Sequence, residues 1–411
     1  MPSTRDIQNP LAITMWDSSW IRRRYKGGGF EDWDKALDEL VERGYNAVRI
    51  DVFPHLIAKA PDGTLVEIFK DPPGTFPHFL GIASWGNAYT IYINPRKSVV
   101  EFIRKCQERD VFVGLSTWFK PTDDQRNAQI QGAQELIRVW DETLVFLDEN
   151  NCLDNVIYVD VLNEYPICNC FYWLSNTLGT MSQPVEPGKI FNSKQVKFYW
   201  DFINEVIFGL KTKWNDLDIF TSQTYDYWKY DLERDYTNFD LLDMHLWIAQ
   251  YDDFVEGTGY FEEIHPFGTP EKLYRIEKVE GPAYIGGAAR YIPQDYRFDE
   301  IYAALWERWQ IHKPVYEDWL EARVQEAKYL SDQFRIPLGN TEGWGLINWR
   351  DHPLLKWDII KEAGLIGARL GHKYGYSFNC SSNFCHPQFL GMWEDIAWHQ
   401  KVTAIIKGED F

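Results

Sequence analysis

Short apolar runs alternate with amphipathic helical stretches along the chain, and this alternation restricts the fold more than any other feature. A strand followed by a covering helix, repeated, builds a parallel sheet flanked by helices. Runs predicted as strands fall at residues 11–15, 46–52, 111–115, 155–162, 218–222, 241–247, 336–341 and 374–379. Between them lie helical patterns. Residues 31–43 place Trp33, Leu37, Leu40 and Val41 on one face, closed by Gly44. Asn94-Pro95 reads as an N-cap and first-turn proline, with Val99, Phe102, Ile103 and Cys106 as the buried stripe. Ala133, Leu136, Ile137, Trp140, Leu144 and Leu147 follow helical spacing, and further helices are predicted at 196–214, 301–334, 354–370 and 393–406. The fifth unit is the least periodic, over residues 226–240. Eight strand–helix units point to a closed (β/α)8 TIM barrel instead of an open sheet. No internal repeat or low-complexity linker interrupts residues 1–411, so a single domain is expected. Connections at 54–92, 165–193 and 248–298 are long, and all follow strand ends. In a barrel they rise together on the C-terminal face and deepen a pocket there.

Composition narrows the partners. A net charge of −19 argues against nucleic acid. No 18-residue apolar run suggests a membrane span. The opening Met1-Pro2-Ser3-Thr4-Arg5-Asp6 lacks a secretory core, so a cytoplasmic protein with reduced thiols is the expectation. With 19 Trp, 23 Tyr and 25 Phe, the chain is rich in rings that stack on sugars, although most should glue helices to the sheet. Carbohydrate is therefore the expected ligand, and a homo-oligomer is compatible with the long loops.

The chemistry is expected at strand ends. Residues 155–162 form an apolar, β-branched run that stops at Asn163-Glu164 and then Pro166. Glu164 is a candidate general acid/base there, with Asn163 as its hydrogen-bonding neighbour. Asn204-Glu205 is an internal control, since helical spacing makes Glu205 a solvated helix residue. A two-carboxylate mechanism needs a second acid, and Glu342 ends the seventh run, followed by Gly343-Trp344-Gly345. Glu317 is the rival, but Trp319, Leu320, Val324, Ala327 and Leu330 continue its segment as a helix. Arg49, at the end of the second strand, is placed to hold Glu342 ionised. Its bland alternative is an ion pair with Asp17 or Asp51. Expected sugar contacts are Asp17, Trp20, Trp118, Tyr225, His245, Trp247, Trp344 and Asn379, with Trp16, Ser381 and Asn383 nearby. Cys168, Cys170, Cys380 and Cys385 miss the usual zinc spacing, so no metal is expected.

Asn163-Glu164, Glu342, Val48-Arg49-Ile50 and His245 together resemble clan A of the glycoside hydrolases, near the cellulase-like relatives of family five. The resemblance implies a (β/α)8 barrel, net retention, Glu164 as acid/base, Glu342 as nucleophile, and no cofactor. Ser116-Thr117-Trp118 stands where family five often carries a histidine, and Phe378-Asn379-Cys380 where its tryptophan is usual. A substrate other than cellulose is expected, such as a small oligosaccharide or glycoside. Two other functions fit less well: a barrel that binds sugar without cleaving it, and a metal-dependent hydrolase built on His245 and His265.

Overall fold

The computed structural model describes all residues except 1–3, 5–8, 16, 72–90, 121–124, 165–170, 182, 186, 188, 229–232, 265–296, 350 and 410–411. Among the described residues, eight main barrel strands run parallel: β1 Leu11–Thr14, β2 Ala47–Asp51, β3 Phe112–Ser116, β4 Val156–Asp160, β5 Asp218–Phe220, β6 Leu242–Trp247, β7 Leu338–Asn340 and β8 Phe378–Cys380, and the two-residue segment Gly343–Trp344 also pairs with Leu246 and Trp247 of β6. Each pairs with the next from β1 to β5, and β6 leads through β7 and β8 back to β1. Just beyond β5, Gln223–Thr224 pairs with Met244 and His245 of β6 and closes the ring. The result is a (β/α)8 barrel.

Strands buried on both faces explain the unbroken apolar runs in the sequence. Inside the ring, Tyr158 of β4 lies 5.4 Å from Phe378 of β8 across the barrel. Glycines make room for both rings. A Cβ on Gly114 would lie 2.1 Å from Tyr158, and one on Gly339 would lie 2.3 Å from Phe378.

Local signals set the helices. Asp32 caps Trp33–Glu42, Asn94 caps Pro95–Gln107, and Asn192 with Gln195 forms a capping box on Ser193–Lys211. The stripe Val99, Phe102, Ile103 and Cys106 is buried as expected. In the first helix Val41 is instead 44% exposed, and Ala36 completes the buried face. The segment after β5 forms only the single turn Tyr225–Trp228, and no longer helix follows it among the described residues before β6. Phe298–Phe334 is one 37-residue helix that passes through Pro314. Glu317 lies inside it, so no strand end presents that acid. The long connections leave β2, β4 and β6. They contribute an antiparallel hairpin, Phe69–Asp71 with Ile91–Ile93, and the helix Tyr172–Thr180. Among the described residues, no helix is long and apolar enough to cross a membrane.

Candidate active site

Glu164 stands four residues beyond the end of β4, with φ 46°, a left-handed conformation that ordinary residues avoid. Its backbone N–H donates to Ser222 Oγ at 3.0 Å, which anchors the turn to the segment after β5. Such local strain persists where the surroundings over-determine it, as at functional sites. Asn163 is held through its amide oxygen, which accepts from Arg49 and, at 3.0 Å, from Ser222. Its Nδ2 is buried and has no hydrogen-bond partner among the described residues.

Glu342 follows β7, its N–H bonded to Asn340 Oδ1 at 2.9 Å. Arg49 is the third of the five residues of β2, not at its end as expected, and is fully buried. Its Nη1 donates to Glu342 Oε1 at 2.9 Å and Thr341 Oγ at 3.0 Å. Its Nη2 reaches Ser116 Oγ at 3.1 Å and lies 3.5 Å from Asp160 Oδ2. The pairing expected with Glu342 is present. Asp51 instead accepts the N–H groups of Phe53 and Trp118, at 2.9 and 3.4 Å.

His245 sits between the acids. Its Nδ1 is 2.6 Å from Glu164 Oε1 and 3.8 Å from Glu342 Oε1. Its Nε2 is 3.0 Å from Thr341 Oγ and 3.5 Å from Asp243 Oδ2. Burial disfavours an imidazolium here, but the charges of Glu342, Asp243 and Glu164 outweigh it and raise His245 to about 10. Burial pushes the neighbouring Asp160 carboxyl up.

Donor atoms of Glu164, His245 and Glu342 all lie within 4.8 Å of one another. Two carboxyl oxygens that close match the spacing of roughly 5–5.5 Å typical of retaining glycosidases. A trio of this kind could also be asked to hold a divalent cation. However, His245 is already at hydrogen-bonding distance from Glu164, and the cation Arg49 is seated on Glu342.

Other expected sugar contacts are placed differently. Trp247 shares the face of β6 with His245, two residues away, and is 2% exposed. Trp118 is buried at the end of β3, beside Asp51. Trp20 is fully buried against Phe30 and Phe102, part of the apolar wall under the helix Pro95–Gln107. Trp344 faces outward, with its ring where a Cβ on Gly367 would be and its indole N–H on Cys380 O at 2.9 Å. Asn379 alternates with inward Phe378 and so also faces outward. It accepts from the Trp344 indole at 3.1 Å and donates to Gly367 O at 3.0 Å. Trp344 and Asn379 therefore fasten the barrel to the helix Asp358–Lys373 instead of meeting a ligand at the mouth. Tyr225 turns toward Arg323, which bonds its hydroxyl, and toward Trp319, on a surface cavity of about 320 Å³. Asp17 begins a short helix after β1, and its side chain, with Trp16, Cys168, Cys170 and His265, lies outside the described residues. Cys380 and Cys385 are buried free thiols. Glu205 is solvent-exposed, as its helical spacing implied.

Four participants escaped the sequence reading: Asp160, Ser222, Asp243 and Thr341. The available signal was positional. Asp243 is two residues before His245, on the same strand face, and Thr341 immediately precedes Glu342.

A family model described as sugar-binding cellulase-like matches residues 13–407, and the chain belongs to that cellulase-like family. A Parabacteroides distasonis protein, provisionally named a glycoside hydrolase, is 29% identical with TM-score 0.76, covering 98% of this chain and 95% of its own. ZgEngAGH5_4, solved in complex with a cellotriose, is 11% identical with TM-score 0.50, covering 99% and 98%. At that identity the likeness shows the fold alone. No curated protein matches the chain. The protein is thus a cellulase-like (β/α)8 barrel that shares its fold with glycoside hydrolases.

Proposed function

We propose that this protein is a retaining β-glycosidase that cleaves an O-glycosidic bond in a small oligosaccharide or glycoside, with residues 1–411 as one catalytic domain. The observation that carries this reading is the approach of Glu164 and Glu342 within 4.8 Å at the carboxyl end of the barrel. Glu342, held as an anion by Arg49, attacks the anomeric carbon. The bond to the leaving oxygen breaks as Glu164 gives that oxygen its proton. A water then attacks the glycosyl–enzyme bond, passes a proton back to Glu164 and releases Glu342. Asn163 Nδ2 is a ready donor for a sugar hydroxyl. This chemistry needs neither metal nor organic cofactor.

Aryl β-glycosides and short oligosaccharides test the proposal. Glu342→Ala should lower turnover at least ~10⁴-fold, with azide restoring part of it and giving a product of inverted configuration. Glu164→Ala should spare substrates with activated leaving groups and slow the others by roughly 10²–10⁴. Wild-type rates in both variants would reject the assignment. The family's description as sugar-binding supports a second reading, a barrel that holds sugar without cleaving it. Calorimetric binding of oligosaccharides with no hydrolysis across the panel would favour that reading.

A further inference from the structure

Asp243 and Thr341 play no part in the two-acid chemistry, yet each is only 1% exposed directly behind it. The Thr341 hydroxyl has one proton and two lone pairs. Asp243 Oδ2 is 2.5 Å from it, Arg49 Nη1 3.0 Å and His245 Nε2 3.0 Å. Asp243 is held below the usual carboxylate range. Burial opposes its charge, but His245, Arg49 and the Thr341 hydroxyl outweigh that. A carboxylate only accepts and a guanidinium only donates, so the hydroxyl proton goes to Asp243 and one lone pair takes Arg49. The second lone pair faces His245, whose Nε2 must then carry a proton. That leaves Nδ1 turned toward Glu164 Oε1 at 2.6 Å. Asp243 also accepts the Thr341 N–H at 2.9 Å, tying β6 to the residue before Glu342.

We propose that Asp243 and Thr341 are positioning residues that lock His245 with Nδ1 against Glu164, and so set the pH range over which Glu164 exchanges its proton. The proposal rests on the acid/base role given to Glu164 above. The charged groups facing His245 are Glu164 after β4, Glu342 after β7 and Asp243 on β6. Arg49 on β2 is one hydroxyl away, with Asp160 behind it at 3.5 Å.

Imidazole ¹⁵N NMR of the full chain reads the lock without any turnover. The wild type should show His245 protonated at Nε2. Asp243→Asn should lower the His245 titration, and with it the alkaline limb of kcat/KM on aryl β-glycosides, by about one pH unit, a tenfold loss of proton affinity. Thr341→Val should move both in the same direction, and Thr341→Ser should restore them. A wild type with Nε2 unprotonated would overturn the lock, whatever the variants do. So would unmoved titrations in Asp243→Asn and Thr341→Val, or a Thr341→Ser variant that behaves as Thr341→Val. An inactive wild type removes the glycosidase reading and leaves the imidazole spectra to decide the lock.

Discussion

Arg49 shows at the residue scale how burial changes the value of an ion pair. Its side chain is 0% exposed and that of Glu342 2%. Removing one partner strands the other charge in a medium that cannot solvate it, at a cost of about 3–5 kcal/mol. Arg49→Met should therefore shift the urea unfolding midpoint strongly, whereas losing the exposed pair Lys197–Asp201, at 73% and 63%, should leave it in place. His245 adds a pH dependence of known sign. Its folded-state pKa lies at about 10, above the ordinary value near 6.5. The stabilisation it contributes is complete below pH ~6.5 and fades as pH rises through the folded value. The wild type should accordingly lose more thermal stability than His245→Gln between neutral pH and about 10. Equal slopes for the two proteins would contradict the raised value.

At the scale of elements, the helix Asp358–Lys373 sets two effects against each other at Gly367. Alanine is the better helix former by about 1 kcal/mol. A Cβ there, however, would lie 2.1 Å from the Trp344 ring, which is itself fully buried. Overpacking typically costs about 1–3 kcal/mol, so steric conflict wins. Gly367→Ala should destabilise the protein in denaturant unfolding. A stabilised variant would mean that Trp344 can withdraw, and that the outward packing of this ring is loose.

For the whole molecule, among the described residues, the strands follow one another around a ring that Gln223–Thr224 closes against β6. If residues 1–411 form one domain, calorimetric and van't Hoff enthalpies of unfolding should agree in a single transition. Two separated transitions would divide the chain. The charge of −19 adds a further expectation. An anionic uronide substrate should bind better as salt rises, and a neutral glycoside should be nearly indifferent. Steady-state KM over a range of ionic strength distinguishes the two.

What the sequence determined by itself was local: the order of strands and helices, and which acids end strands. Glu164 and Glu342 were legible because each follows an apolar strand run at its carboxyl end, and Arg49 because it is a lone cation between Val48 and Ile50 within such a run. Asn94 was of the same kind, since a cap bonds within its own turn. Tertiary structure decided where a side chain after a strand would point. Trp20, Trp344 and Asn379 follow strands as a ligand contact would, yet closure of the ring and Gly367 turn the last two toward a helix. It also decided the distance between the acids and the lock on His245, whose partners Asp243 and Thr341 are 98 residues apart. Periodicity reports which face of an element is apolar. Only pairing register and packing across the ring report which polar groups from distant segments meet.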